Sequence, residues 1–264
     1  MTSARRKKAN GTRKRAPVSK PTAQRSSDPA PTLAALRAEL QELGDPVRAV
    51  HSLRFFKTGP GQYGEGDKFL GVTVPMMRGL VRKYRDLDDA SALQLLESAW
   101  HEERLVALLL LVEGYDRGDE SRRKRIHRGY LANARQINNW DLVDCSAEYV
   151  VGAHLEASDT ALLERLAGSK LMWERRIAIV STFHFIKRNE FRPTLRIAKL
   201  LLRDTHDLIH KAVGWMLREV GKRDRETLDG FLAKHYHEMP RTMLRYAIER
   251  HPERIRKQYL RGTI

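Results

Sequence analysis

The sequence predicts an all-α fold of stacked helical hairpins, on three observations. From Pro31 onward apolar residues recur at helical spacing, as in Leu33, Leu36, Leu40 and Leu43, which is the period of an amphipathic helix. Segments rich in Val or Ile with strict apolar and polar alternation, the mark of a half-buried strand, are scarce. A similar helix pattern also returns at near-constant intervals between residues 107 and 247.

In chain order, residues 1–31 are expected to be a disordered basic arm and residues 32–264 a folded domain. The arm holds nine basic side chains, Arg5, Arg6, Lys7, Lys8, Arg13, Lys14, Arg15, Lys20 and Arg25, against the single acid Asp28. With almost no large apolar side chain it cannot offset the entropy of ordering. An Arg-rich, acid-poor start also suits an organellar transit peptide, although the clusters RRKK and RKR lack the amphipathic spacing of one. Beyond the arm, breaks are expected at Gly44-Asp45-Pro46, in the long loop Lys57 to Lys68, from Gly114 to Asp119, at Gly168, from Gly221 to Asp224 and at Pro240. They separate about a dozen helices.

With Ala107 as origin, the matching helices centre on Leu142, Ala178, Ala212 and Ala247, at intervals of 35, 36, 34 and 35 residues. Each interval fits two short helices and two turns, so the expected architecture is a curved solenoid of HEAT-like helical hairpin repeats. Two residues before each origin lie Leu105, Trp140, Arg176, His210 and Arg245, and two after lie Leu109, Asp144, Val180, Gly214 and Glu249. Residues four apart share a helix face, so both sets form one stripe. Beyond the first repeat that stripe is largely polar, basic or aromatic, as expected of a concave surface facing a ligand.

The charge identifies the class of ligand. The chain carries +16, from 49 Lys and Arg against 33 Asp and Glu, and removing the arm still leaves +8 on the remainder. A folded part that is basic in its own right points to nucleic acid. Cys145 is the only cysteine, which excludes an intramolecular disulfide and a cysteine metal cluster and suits a reducing cytoplasm. The longest apolar run, Leu105 to Val112, is too short to cross a bilayer.

Trp140 and Asp144 share one face in NNWDLVD, where Asn138 or Asn139 can cap the helix start. Arg176 occupies the matching position one repeat later, and Trp215 lies near the same stripe in the repeat after that. Two indoles, a carboxylate and a guanidinium suit chemistry in which positive charge develops on a sugar. The carboxylate stabilises an oxocarbenium-like carbon and orients water, the indole faces attract cations, and an arginine can hold a phosphate bidentately. Each residue also has an ordinary reading. A Trp in a helical repeat is more often packing, an Asp four residues on is often solvated or paired, Arg175 and Arg176 can form an exposed face, and Trp215 can fill a gap between hairpins.

The strings NNWDLVD at 138–144, MWERRIAI at 172–179, HKAVGWMLRE at 210–219 and FFKTGPGQYGEGDKFLGV at 55–72, followed by VPMMRGLVRKY, resemble the AlkD-type DNA alkylation repair proteins over essentially the whole chain after the arm. The resemblance implies HEAT-like hairpins around duplex DNA and a glycosylase that releases cationic alkylpurines such as 3-methyladenine and 7-methylguanine without metal or cofactor. It implies that Trp140 and Trp215 contact the lesion's deoxyribose, that Asp144 is the catalytic carboxylate, and that Arg176, or its neighbour Arg175, is the site arginine. It further implies base excision repair by a monomer with no obligate protein partner, in a bacterial cytoplasm and at its nucleoid. Some relatives lack the tryptophan and carboxylate pattern and bind without cutting; here every key position is filled.

The remaining DNA-contact candidates are His210, Lys211 and Arg245 on the later repeats and Lys57, Tyr63 and Lys68 in the Gly-rich loop, which can reach a groove or a phosphate. Gly59, Gly61, Gly64 and Gly66 lack the Gly-Lys-Ser/Thr ending of a phosphate-binding loop. His235 and His237 stand two apart near Glu238, a spacing that points them away from a common metal on a helix. A protein-binding scaffold would use the same solenoid, but would leave the basic body and the Trp, Asp and Arg stripe unexplained.

Overall fold

The computed structural model describes residues 32–264, so the expected basic arm, residues 1–31, lies outside the described residues. The described residues form helices and loops with no strand beyond one isolated bridge, Lys68 to Trp100. Four helices open the fold: α1 (Leu33–Glu42), α2 (Pro46–Phe55), α3 (Val74–Lys83) and α4 (Asp89–Leu96). Side-chain caps start three of them. Thr32 accepts from the Ala35 amide, Asp45 from those of Val47 and Arg48, and Asp88 from that of Ser91, each satisfying donors that a helix start leaves orphaned.

The repeats follow. Their inner helices are α5 (His101–Arg117), α7 (Trp140–Asp144), α10 (Met172–Ser181), α13 (Asp207–Arg223) and α15 (Arg241–Ala247), and they pack on one another in that order. Between them come α6 (Glu120–Ala132), α8 (Ala147–Val150), α9 (Ala161–Ala167), α11 (Phe183–Lys187), α12 (Arg192–Leu200), α14 (Arg225–His235) and α16 (Glu253–Arg261). Of these, α9 packs on α10, both α12 and α14 on α13, and α16 on α15. All five predicted origins fall on the inner helices and are almost completely buried: Ala107, Leu142 and Ala178 at 0% exposure, Ala212 and Ala247 at 1%. A small or slim residue where neighbouring hairpins meet explains why the register was visible. The helical hairpin repeats are thus the ones the sequence predicts.

Sixteen α-helices stand among the described residues where about a dozen were expected, in part because two inner helices are broken. At each break a hydroxyl turns back onto the helix backbone. The Ser146 hydroxyl donates to the Leu142 carbonyl at 2.6 Å, the Ser181 hydroxyl to that of Ile177 at 2.6 Å and the Thr182 hydroxyl to that of Ile179 at 2.7 Å. Such back-bonding competes with the helix ladder and bends it. The breaks expected over Gly114 to Asp119 and Gly221 to Asp224 fall at the far ends of those segments, so Gly114 and Gly221 themselves lie inside helices. A Cβ on Gly114 would stand 2.8 Å from the Arg122 guanidinium, and one on Gly221 would stand 2.3 Å from the Leu228 side chain. They permit close packing, and the helices run on to Arg117 and Arg223. No helix among the described residues is long and apolar enough to cross a membrane.

Candidate functional site

A cavity of about 580 Å³ opens where α7, α10, α13 and α15 face the end of α2 and the Gly-rich loop. Trp140 and Asp144 reach it from α7, Arg176 from α10, and Lys211, Trp215 and Arg218 from α13. Asn139 caps α7, its side-chain oxygen accepting from the Trp140 amide at 2.8 Å. One face of a short helix thereby presents both the indole and the carboxylate.

Asp144 and Arg176 form a bidentate pair. Arg176 Nε donates to one carboxylate oxygen at 2.9 Å and Nη2 to the other at 2.8 Å, while Nη1 donates to the Leu208 carbonyl. The Arg176 side chain is 5% exposed and that of Asp144 19%. The guanidinium is therefore a buried clamp on the carboxylate and on the start of α13, and the carboxylate keeps one accessible edge toward the cavity. Burial pushes the Asp144 carboxyl above the ordinary aspartate value, and the Arg176 charge opposes that rise without cancelling it.

The opposite wall comes from α2 and the loop after it. Lys57, just past the Phe56 cap of α2, adopts a left-handed conformation with φ of 52°, and together with Phe55 it lines the cavity. The Phe56 ring stacks on Trp140 with centroids 5.6 Å apart, and Phe55 meets the same indole edge-on at 5.8 Å. The Trp140 indole N–H donates to the Tyr63 hydroxyl at 3.2 Å. Aromatic contacts and one hydrogen bond thus fix the plane of the indole.

Beneath that wall lies a network of buried charge. Helix α5 opens with His101, Glu102, Glu103 and Arg104, all at most 4% exposed. His101 Nε2 stands 2.8 Å from Asp141 and Nδ1 3.2 Å from Asp67, and Arg104 donates to Asp67 at 2.6 Å. The Asn139 side-chain amide donates to Asp67 at 3.3 Å. Burial works against a charged His101, but the two carboxylates outweigh it and raise its pKa to about 9. Burial likewise disfavours an ionised Asp67, yet His101 and Arg104 hold its carboxyl below the usual value. Glu102 accepts from the Leu70 and Gly71 amides at 2.9 and 2.8 Å, and Glu103 from Arg37 at 3.2 Å. This one helix start ties the loop, the segment after it, α1 and α7 together.

The structure gathers Trp140, Asp144, Arg176, Trp215, Lys211, Lys57 and Tyr63 in one cavity. The other candidates lie outside its lining. Arg175 pairs with Asp204 at 2.6 Å and donates to the Ser169 and Lys170 carbonyls. His210 also bonds the Asp204 carbonyl, so both knit a turn between repeats. Arg245 is exposed, and so is Lys68, whose backbone bonds Ala99 and His101. On α13 the cavity face carries Lys211 and Trp215 where the stripe named His210 and Gly214, and on α15 it carries Tyr246 where the stripe named Arg245. The predicted register is thus one residue early on the last two inner helices. Sequence reasoning also passed over Phe55, Phe56 and the His101 network. The run HEER opening an otherwise apolar helix was the available signal.

A concave site with a clamped carboxylate between two indoles and cations on its rim suits a substrate that carries or develops positive charge beside phosphates. Comparison with known proteins agrees with that class. The family model described as DNA alkylation repair enzyme matches residues 36–251. A solved structure described as a predicted DNA alkylation repair enzyme from Enterococcus faecalis aligns with a TM-score of 0.61 at 15% identity, covering 80% of this chain and 97% of that one; at that identity the likeness speaks for the fold. No curated protein sequence matched. The family match spans every inner helix and every residue lining the cavity, and on that evidence the chain belongs to the DNA alkylation repair enzyme family.

Proposed function

We propose that the chain is a monofunctional DNA glycosylase that hydrolyses the N-glycosidic bond of cationic N3- or N7-alkylated purines in duplex DNA, as a step of base excision repair. Family membership supports a role in alkylation repair; the observation that carries the chemistry is the Asp144 carboxylate, held by Arg176 with its accessible edge in a cavity lined by Trp140 and Trp215.

An alkylated purine already bears positive charge, so it leaves with the bonding electron pair and needs no general acid. The bond from the sugar C1′ to the purine nitrogen breaks, and charge passes to the sugar. Asp144 stabilises that charge, and the indole faces add cation–π attraction. Water then bonds to C1′ and gives its proton to the carboxylate or to solvent, leaving an abasic site and a neutral base. Arg176 acts as a positioning residue, and its burial favours Lys57, Lys211 and Arg218, which line the cavity, as the cations that would meet phosphate.

The test is free 7-methylguanine or 3-methyladenine released from methylated duplex DNA in a single turnover, corrected for spontaneous depurination. Asp144→Asn keeps the shape and removes the charge. It should bind DNA comparably and release base about a hundredfold more slowly, the equivalent of about 3 kcal/mol. Because burial raises the Asp144 pKa, release by the wild-type protein should fall with acidification at a higher pH than an ordinary aspartate would give. Tight binding with release no faster than without protein would leave a noncatalytic DNA-binding role in its place.

A further inference from the structure

A second cationic surface lies away from the cavity, in the groove between α12 and α14. Both helices pack against α13, yet the groove shares no lining residue with the cavity. Its volume is about 690 Å³, and it is lined by Arg192, Arg196, Lys199 and Lys234 with no carboxylate. Among the described residues only Arg196 of these four has an ion-pair partner, Glu164. Arg192 occupies the first turn of α12, where the helix dipole disfavours a cation. Three positive side chains without local neutralisation, Arg192, Lys199 and Lys234, repel one another beside the paired Arg196, so this arrangement costs stability unless an anion supplies the missing charge.

The span of the cations identifies the anion. Arg192 and Lys199 are separated by seven residues of one helix, about 10 Å of rise. One small anion cannot bridge that length, whereas a DNA strand places a phosphate about every 3.4 Å of axis. The floor argues against a peptide held by burial, since Phe231 is only 7% exposed and Leu195 and Phe191 are half-buried. Attraction in this groove is therefore mainly electrostatic and independent of base sequence.

We propose that the groove between α12 and α14 binds the sugar–phosphate backbone of a second DNA segment while the first occupies the cavity. Two segments held at once allow transfer from one to the other without full release. The proposal rests on DNA being the ligand of the cavity and not on glycosylase chemistry.

The experiment uses the full chain and two short unmethylated duplexes, one labelled with a donor dye and one with an acceptor, at about 50 mM salt where phosphate contacts are strong. Wild-type protein should bring the dyes together in a complex that sedimentation shows to contain one protein and two duplexes. Arg192→Glu/Lys199→Glu/Lys234→Glu should lose that signal, with affinity for the second duplex down about tenfold or more and its salt slope reduced by about 3. The first duplex should bind within about twofold of wild type, and the Gln versions of the same changes should fall between. Thermal melting checks the fold of each variant. Equal bridging by wild-type and triple-Glu proteins would overturn the proposal. So would a groove that binds an oligoglutamate peptide but no second duplex, which would assign it to an acidic protein. Base release reads the glycosylase question separately: its absence alongside intact bridging leaves this proposal standing.

Discussion

The two walls of the cavity are built on different principles. The repeat wall, from α7, α10 and α13, holds its chemistry through one bidentate pair, Arg176 to Asp144, and the link from Arg176 to Leu208. The wall from α2 and the Gly-rich loop places Phe55, Lys57 and Tyr63 on the cavity, with Phe56 behind Trp140. It depends on a network from α5 in which two acids, Asp67 and Asp141, balance two cations, His101 and Arg104. One wall repeats a helix position, and the other is an irregular segment pinned by buried charge. The first should therefore fail through loss of a single partner, and the second through loss of charge balance.

The sharpest break on the repeat side is Arg176→Met. It leaves Asp144 buried without its partner, a change that typically costs about 3–5 kcal/mol when both groups are buried. The accessible edge of Asp144 sets the expectation at the lower end, about 3 kcal/mol in denaturant unfolding. Adding Asp144→Asn should restore much of that stability while base release stays low. If Arg176→Met unfolds at the wild-type midpoint, the pair is not what secures this wall.

The loop wall should lose stability as pH rises, through the titration of His101. The folded-state pKa of His101, about 9, lies above its unfolded value near 6.5. The network's contribution is then complete below pH 6.5, diminishes above it and is lost as pH rises through about 9. One pKa unit is worth 1.36 kcal/mol, so the contribution is at most on the order of 3 kcal/mol. Melting temperature should decline across this window for wild type and much less for His101→Gln. Identical slopes would show that His101 does not carry the charge balance.

These two walls also differ in how far they could be read beforehand. Trp140, Asp144 and Arg176 were legible because a buried origin recurs at 35- and 36-residue intervals and fixes which face looks outward. The stripe slipped by one residue at His210 and Arg245 because apolar neighbours make either of two origins acceptable: Ala212 and Val213, like Ala247 and Ile248, are equally buried. Periodicity could not reveal the loop wall. Asp67, His101 and Asp141 are far apart in sequence; Asp67 lies in the loop before the repeats, and His101 and Asp141 hold different positions in the repeat register. Their pairing is set by the tertiary path of the Gly-rich loop, and local pattern carries no information about which distant carboxylate meets a buried imidazole.

The smallest expected effect joins the two walls. Tyr63 on the loop accepts the Trp140 indole N–H at 3.2 Å, across 77 residues of sequence. Tyr63→Phe keeps the ring that packs near Trp173, with centroids 6.2 Å apart, and removes only the hydroxyl. A hydrogen bond between neutral, half-buried groups is worth about 0.5–1.5 kcal/mol, so stability should fall by about 1 kcal/mol. If that bond sets the plane in which the indole meets the developing sugar cation, single-turnover base release should drop by several-fold, up to about tenfold for 1.4 kcal/mol. DNA affinity should barely change, since the charge of the rim is untouched. A drop in rate larger than the drop in stability would mean that the loop tunes the chemistry of the repeat wall through this contact. Unchanged release with lowered stability would mean that Phe55 and Phe56 alone hold the indole and that the loop serves only the fold.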